Sequence, residues 1–310
     1  MIQYFKQYFK RIPSPVNERG QTMGKPCYLC PKHCGIDRTE QKGACGETYT
    51  MRIAKFYPHM FEEPPVSGTR GSGTVFFCGC GLKCVFCQNY VLSRSETGKE
   101  ISPEELADIF RTLESSGVHN VNLVTPTHFL DGIVKAFSLY RPSIPVVYNT
   151  HGFETIENLR LIDPYVDIYL PDLKFYDPEL SFRYTGRKDY FAYASRAVSF
   201  MMNAKKTTFG EDGMMKSGVI VRHMIMPLGV RDSEKILEWF AENKQNGAYL
   251  SLMAQYTPFG EYNKYPELRR PITAREYERV YEKLLDLGIT DYFAQELRSS
   301  GESFIPKWDY

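Results

Sequence analysis

The chain has 310 residues, 43% of them apolar and 24% charged. These proportions exclude a mainly disordered chain, and the length suits one α/β barrel with extensions as well as it suits two average domains. A formal charge of +1 excludes broad electrostatic attraction to nucleic acid or an acidic membrane, and no uncharged apolar run approaches the ~18 residues of a membrane span.

At the N-terminus, Lys6, Lys10 and Arg11 interrupt the apolar residues of Met1 to Pro15, and no small-residue cleavage site follows. A secretory signal is therefore not expected, and the compartment is read as the cytoplasm. All eight cysteines lie between Cys27 and Cys87, in two sets of four. A disulfide scaffold belongs to small secreted domains, which this chain is not, so reduced thiols held on metal are the leading reading. The first set, Cys27, Cys30, Cys34 and Cys45, has the spacing C-x2-C-x3-C-x10-C. It lies where Pro13, Pro15, Pro26, Pro31, Pro58, Pro64 and Pro65 leave little periodicity. Residues 1–70 are thus expected to form an irregular extension, ordered by a four-cysteine metal site. Zinc and an iron–sulfur cluster both suit sulfur ligation, with His33 an alternative zinc ligand. A full set of four implies a closed site, for structure or electron relay.

From about residue 71 a rhythm appears. Thr74 to Phe77, Val121 to Val124, Val146 to Tyr148, Asp167 to Leu170, Val219 to Met226 and Tyr249 to Ala254 are short β-branched or aromatic runs, each followed by helical spacing. Ser102, Pro103 and Glu105 open a helix with an N-cap, a first-turn proline and a capping-box acid ahead of Leu106, Ile109, Phe110 and Leu113. Thr273 and Glu276 repeat the pattern before Tyr277, Val280, Leu284 and Leu287, with Gly288 at the C-terminal end. Alternating strands and helices predict an α/β fold with a parallel sheet over residues 71–310. Six or seven strands favour a partial (β/α)6 barrel, with a doubly wound sheet as the alternative.

The second cysteine set follows the first of these strands: Cys78-Gly79-Cys80-Gly81-Leu82-Lys83-Cys84-Val85-Phe86-Cys87. Cys80, Cys84 and Cys87 are spaced C-x3-C-x2-C, and three thiolates on a tight loop suit three irons of a [4Fe–4S] cluster, leaving the fourth iron open. Gly79 and Gly81 permit close packing of the loop. A zinc knuckle that adds Cys78 is the competing reading, but Cys78 lies two positions from Cys80, too near for an ordinary chelate; it is read as a buried small residue.

This triad, with Phe86 before its last cysteine, resembles the radical S-adenosylmethionine (SAM) superfamily. The resemblance implies an open iron that chelates the amino and carboxylate groups of SAM. It also implies reductive cleavage to a 5′-deoxyadenosyl radical that abstracts hydrogen. Cys27 to Arg38, Glu62 to Thr74 and Cys87 to Tyr90 resemble the PflX subfamily, homologues of pyruvate formate-lyase activating enzymes. That likeness covers roughly residues 25–310 and implies a protein partner, a glycyl-radical enzyme, or else a small-molecule or peptide substrate. It further implies a reduced flavodoxin or ferredoxin-type electron donor, with no nucleic acid and no membrane as partners. A non-catalytic iron–sulfur electron carrier is the reading from another class.

The resemblance also names residues. Where the superfamily often has Gly-Gly-Glu after its second strand, this chain has Thr125-Pro126-Thr127-His128, so Thr125 and Thr127 are expected to accept from the cosubstrate ammonium, with His128 nearby. Asn149 in Asn149-Thr150-His151-Gly152-Phe153 matches the Thr-Asn-Gly segment of activating enzymes. Asp172 and Lys174 match their Asp-Leu-Lys, Lys174 toward the cosubstrate carboxylate and Asp172 toward Lys174 or a ribose hydroxyl. All these segments end strands, where barrel enzymes gather their ligands. Arg222 and His223 are divided between core and ligand roles; Gln255, Tyr256, Gln295 and Glu296 are expected to shape the substrate mouth. No side chain need act as general acid or base, since the cofactor carries the chemistry.

Overall fold

Every run expected as a strand forms one in the computed structural model, which describes residues 26–94, 97–258 and 262–297. In chain order the main elements are β1 (Met51–His59), α1 (Pro64–Ser67), β2 (Ser72–Phe77), α2 (Tyr90–Arg94), β3 (Lys99–Ile101), α3 (Pro103–Ser115) and β4 (Val121–Val124). They continue with α4 (Leu130–Leu139), β5 (Val146–Thr150), α5 (Ile156–Ile162), β6 (Ile168–Pro171), α6 (Pro178–Thr185), α7 (Tyr190–Ala204) and β7 (Thr208–Phe209). The last are β8 (Met215–Met224), α8 (Val230–Asn243), β9 (Tyr249–Met253), α9 (Ala274–Asp286) and β10 (Tyr292–Ala294). Both expected helix starts hold: Ser102 accepts from the Glu105 amide and Thr273 from the Glu276 amide, each with the reciprocal capping-box bond. Gly288 follows α9 at φ 65, the left-handed conformation that ends a helix.

The sheet runs β10-β9-β8-β6-β5-β4-β2-β1-β3, with β7 beside β8. β2, β4, β5, β6, β8, β9 and β10 are parallel neighbours in sequence order. A doubly wound sheet reverses its strand order at a switch point, so this order selects the partial barrel. Among the described residues, β10 does not pair with the β1–β3 edge, and the barrel stays open along that seam.

Two elements depart from the expectation of an irregular segment up to residue 70, the four-residue α1 and the longer β1. Met51–His59 is a nine-residue strand, antiparallel to β2 from Ile53 to His59. Pro58 masks it in the sequence. The fold tolerates that proline because β3 pairs only with Met51, Arg52 and Ile53, leaving the outer edge beside Pro58 without a ladder.

Strand register sorts the side chains. Val75, Leu123, Tyr148 and Tyr169 align on one face and join Leu106, Phe110, Ile133, Leu159 and Ile236 in the main core beneath the helices. The other face carries Asn122, Val147, Asn149, Ile168 and Leu170, and Asp172 continues it into a bridge with Arg222, which aligns with Ser251. Val66 of α1 packs on Val147, Ile168, Leu170 and Ile220, so α1 plugs this second face from below. Among the described residues no helix is long and apolar enough to cross a membrane.

Residues 26–50 are irregular and dock on the barrel through Arg38, whose side chain is fully buried. Its Nε donates to the Glu47 carbonyl at 3.0 Å, one terminal nitrogen to the His128 carbonyl at 2.7 Å, and the other to the Thr48 carbonyl.

Candidate functional site

A cavity of about 580 Å³ opens on the second face of the sheet, within the range of small-molecule sites. Cys80, Cys84 and Cys87 all line it, on the loop that leaves β2. Gly79 lets that loop turn: it sits at φ 79, and a Cβ there would lie 2.4 Å from Glu47 Cγ and 2.9 Å from the Cys45 carbonyl. The crowding comes from the first cysteine segment, which also accepts the Cys80 amide on the Cys45 carbonyl at 3.0 Å. Phe86 lines the cavity while its ring meets Phe175 and Tyr184 edge to face, so the residue before the last cysteine is fixed on both sides. Cys78 is buried off the cavity, its thiol donating to the Thr97 carbonyl at 3.1 Å, as a bystander would.

Burial pushes the thiols of Cys80, Cys84 and Cys87 above the usual range, and the Lys174 ammonium works against it at all three. Lys174 therefore stands within electrostatic reach of the whole triad. Its Nζ is 2.5 Å from Asp172 Oδ2, and Arg222 Nε is 2.9 Å from Asp172 Oδ1. Against the cost of burial, Arg222 and Lys174 hold Asp172 below the usual carboxylate range. The remaining nitrogens of Arg222 reach Glu62 Oε2 at 3.3 Å and Asn149 Oδ1 at 2.6 Å, and Glu62 Oε1 accepts from Asn122 at 3.0 Å and Asn149 at 3.2 Å. Glu63 lies beside them and lines the same cavity.

The sequence thus brings Phe86, Thr125, Asn149, Asp172 and Lys174 to the cavity with the three cysteines. Thr125 sits at φ 57, a costly conformation for a β-branched residue, with its amide donating to the Asn149 carbonyl at 2.9 Å. That turn sends the following 3-10 helix, Thr127–Phe129, into the wall, and two expected contacts go with it. Thr127 is buried and donates to Glu154 Oε1 at 2.6 Å. His128 is buried with Nε2 donating to the Cys78 carbonyl at 2.6 Å, and burial pushes its pKa down to about 3, so it is neutral. Neither Thr127 nor His128 borders the cavity; both lie in the wall behind it. Gln255 and Gln295 line the cavity and bond to each other at 3.0 Å, whereas Tyr256 is buried with its hydroxyl on the Leu268 carbonyl, and Glu296 is exposed. His223 is a core residue, bonded to the Leu173 carbonyl and the Ser233 hydroxyl.

Glu62, Glu63, Ser251 and Asn89 are among the site residues that sequence reasoning missed. The signal was present for two of them: adjacent acids before Pro64-Pro65 are an unusual way to enter a short helix.

Among the described residues no three His, Cys, Asp or Glu side chains converge on one metal ion. That holds for Cys27, Cys30, Cys34 and Cys45 and for Cys80, Cys84 and Cys87 alike. The Cys27 sulfur instead accepts from Arg38 at 3.7 Å, and the Cys45 thiol points at the Glu47 carbonyl at 3.8 Å. A cubane cluster places its thiolates on different irons, so a loop with two buried thiols and one half-buried thiol, all lining a roomy cavity, fits it without such convergence.

The model of the radical SAM superfamily matches residues 74–216. The uncharacterized protein MJ0674 of Methanocaldococcus jannaschii is 32% identical over 275 residues, which span 86% of this chain and 76% of that protein. Among solved structures, Streptococcus suis SuiB bound to S-adenosylmethionine is 14% identical, with a TM-score of 0.45 over 70% of this chain and 45% of that one. A domain of pyruvate-formate lyase-activating enzyme from Bacteroides vulgatus is 13% identical, with a TM-score of 0.37 over 63% of this chain and 91% of that one. This chain spans less than half the length of SuiB.

Proposed function

Because the chain belongs to the radical SAM superfamily, we propose that Cys80, Cys84 and Cys87 hold three irons of a [4Fe–4S] cluster and that the adjoining cavity receives SAM together with a substrate. The observation that carries this reading is the gathering of the three thiols of the triad, Lys174, Asp172, Asn149 and Thr125 around one cavity. When bound, the cluster and SAM supply a reductive cleavage that yields methionine and a 5′-deoxyadenosyl radical able to take a hydrogen atom.

The chain's own residues bind, orient and shield. Lys174, held by Asp172 rather than free to roam, offers its ammonium to the SAM carboxylate. Asn89 Oδ1, buried at the cavity wall without a partner, offers an acceptor for an ammonium or hydroxyl group. Phe86 keeps the cysteine loop dry and in place, which protects a reactive intermediate from water. No proton need move at any of these side chains.

The finer reading is that the hydrogen comes from a glycine Cα of a partner protein, with a flavodoxin or ferredoxin-type reductant; it is supported by the motif likeness at Cys27 to Arg38, Glu62 to Thr74 and Cys87 to Tyr90. The first cysteine set is proposed as a second cluster site beside the triad, since Cys45 touches Cys80 through the backbone. Anaerobic iron and sulfide analysis tests both sites: about four irons indicate one cluster and about eight indicate two. Reduced protein is expected to release methionine and 5′-deoxyadenosine. A Cys80→Ala protein that cleaves SAM at the original rate overturns the assignment. Incubation with glycine-bearing partners should give the electron-paramagnetic doublet of a glycyl radical, and its absence across them turns the substrate reading toward a peptide or small metabolite.

A further inference from the structure

Five charged side chains share the cavity: the carboxylates of Glu62, Glu63 and Asp172, and the cations Arg222 and Lys174. Lys174 is taken by Asp172, and the three guanidinium nitrogens of Arg222 are taken by Asp172, Glu62 and Asn149. Glu63 is left over. It is only 8% exposed and forms none of the close ion pairs found among the described residues. The Ser251 hydroxyl donates to its carboxylate, yet Oε2 is buried without any partner.

The local sequence keeps that oxygen unused. An acid at the N-cap of a helix ordinarily bonds the backbone amides of the first turn. Glu63 caps α1, but Pro64 and Pro65 follow it, and no side-chain cap bond forms. The first free amides beyond them, those of Val66 and Ser67, go to the Glu63 carbonyl. The prolines also fix the backbone, and Val66 anchors α1 below. A carboxylate with one oxygen bare is thus held on the cavity floor, where burial raises its pKa and Arg222, already bonded to Asp172, Glu62 and Asn149, offsets only part of that cost until a further cation or a proton meets it.

We propose that Glu63 recognises a cationic group, a primary ammonium or guanidinium, carried by the substrate. The inference rests on the radical SAM reading, in which SAM commits its own amino group to the open iron and leaves Glu63 to the second occupant. It narrows the substrate class to amines and to peptides that present a lysine, an arginine or a free amino terminus.

The test uses the reconstituted wild-type protein with SAM bound and follows n-butylammonium, n-butylguanidinium, 1-butanol and butyrate by ligand-observed NMR titration. A charge-assisted bond in a dry site predicts that n-butylammonium or n-butylguanidinium binds at least about tenfold more tightly than 1-butanol, with butyrate weakest. Glu63→Gln should bring the cation and the alcohol to near parity. Equal affinities in the wild-type protein, tighter butyrate, a preference that survives in a folded Glu63→Gln protein, or no saturable binding of either cation overturns the proposal. If Glu63→Gln does not fold, the wild-type ranking decides alone. SAM cleavage is measured on the same preparation: cleavage without a cation preference sinks only the Glu63 inference, and a cation preference without cleavage sinks the enzyme reading while the cation site stands.

Discussion

Arg222 and Asp172 meet where β8 passes β6, with Arg222 Nε 2.9 Å from Asp172 Oδ1 in a largely dry setting. One guanidinium thereby joins strand β8 to the segment after β6, to Asn149 on β5 and to Glu62 ahead of α1. Removing it leaves Glu62 without its close cation and Asp172 with Lys174 alone. Arg222→Met is expected to cost about 3–5 kcal/mol of folding stability, measured by chemical denaturation. A loss below about 1 kcal/mol would show that the carboxylates find other partners or hold protons.

Arg38 is the corresponding pin for the first cysteine segment. Its three nitrogens serve the Glu47, Thr48 and His128 carbonyls, and an ammonium at one point is unable to reach all three. Arg38→Lys should lower stability by about 2–4 kcal/mol. Limited proteolysis should then open residues 26–50 before the barrel; simultaneous loss of both would mean that the two fold as one unit.

Glu154 gives a pH dependence. Burial pushes its pKa up from 4.5 to about 7, although the hydroxyls of Thr127, Thr150 and Tyr148 all point at its Oε1 and oppose the shift. The folded state thus favours the protonated carboxyl. Its contribution is complete below about pH 4.5 and is lost as pH rises through about 7, a span worth roughly 3 kcal/mol. Glu154→Gln, which stays neutral, should gain stability relative to the wild-type protein across that interval, read from paired denaturation curves. Parallel curves would contradict the assignment.

Thr125 is the strained residue of the site, at φ 57. Glycine adopts that conformation freely, so Thr125→Gly is expected to raise stability by about 1 kcal/mol despite the lost side chain. A clear drop in Tm would mean that contacts of the threonine side chain outweigh the strain.

Strands β2, β4, β5, β6, β8 and β9 were legible because short β-branched runs bounded by turns have few other uses, and Asn149, Asp172 and Lys174 were legible because they end such runs. β1 escaped because Pro58 breaks the pattern on an edge where the break is harmless. Thr127 and His128 were misplaced by the positive φ of Thr125, a backbone choice that a threonine does not advertise. Glu62, Glu63 and Ser251 come together only after the chain has crossed the sheet, with Ser251 aligned to Arg222 by strand register and the acids delivered by the segment between β1 and β2.

The unpaired seam of the sheet has a mechanical consequence. His59 at the end of β1, Phe61 just beyond it and Tyr292 to Gln295 at β10 all border the cavity, so its wall includes both sides of the opening. A closed barrel widens only by breaking ladder hydrogen bonds, whereas among the described residues no strand ladder joins these two margins. Compliance is therefore concentrated on one flank, while Arg222 stiffens the opposite one. A length of polypeptide laid in from the side would meet the soft flank.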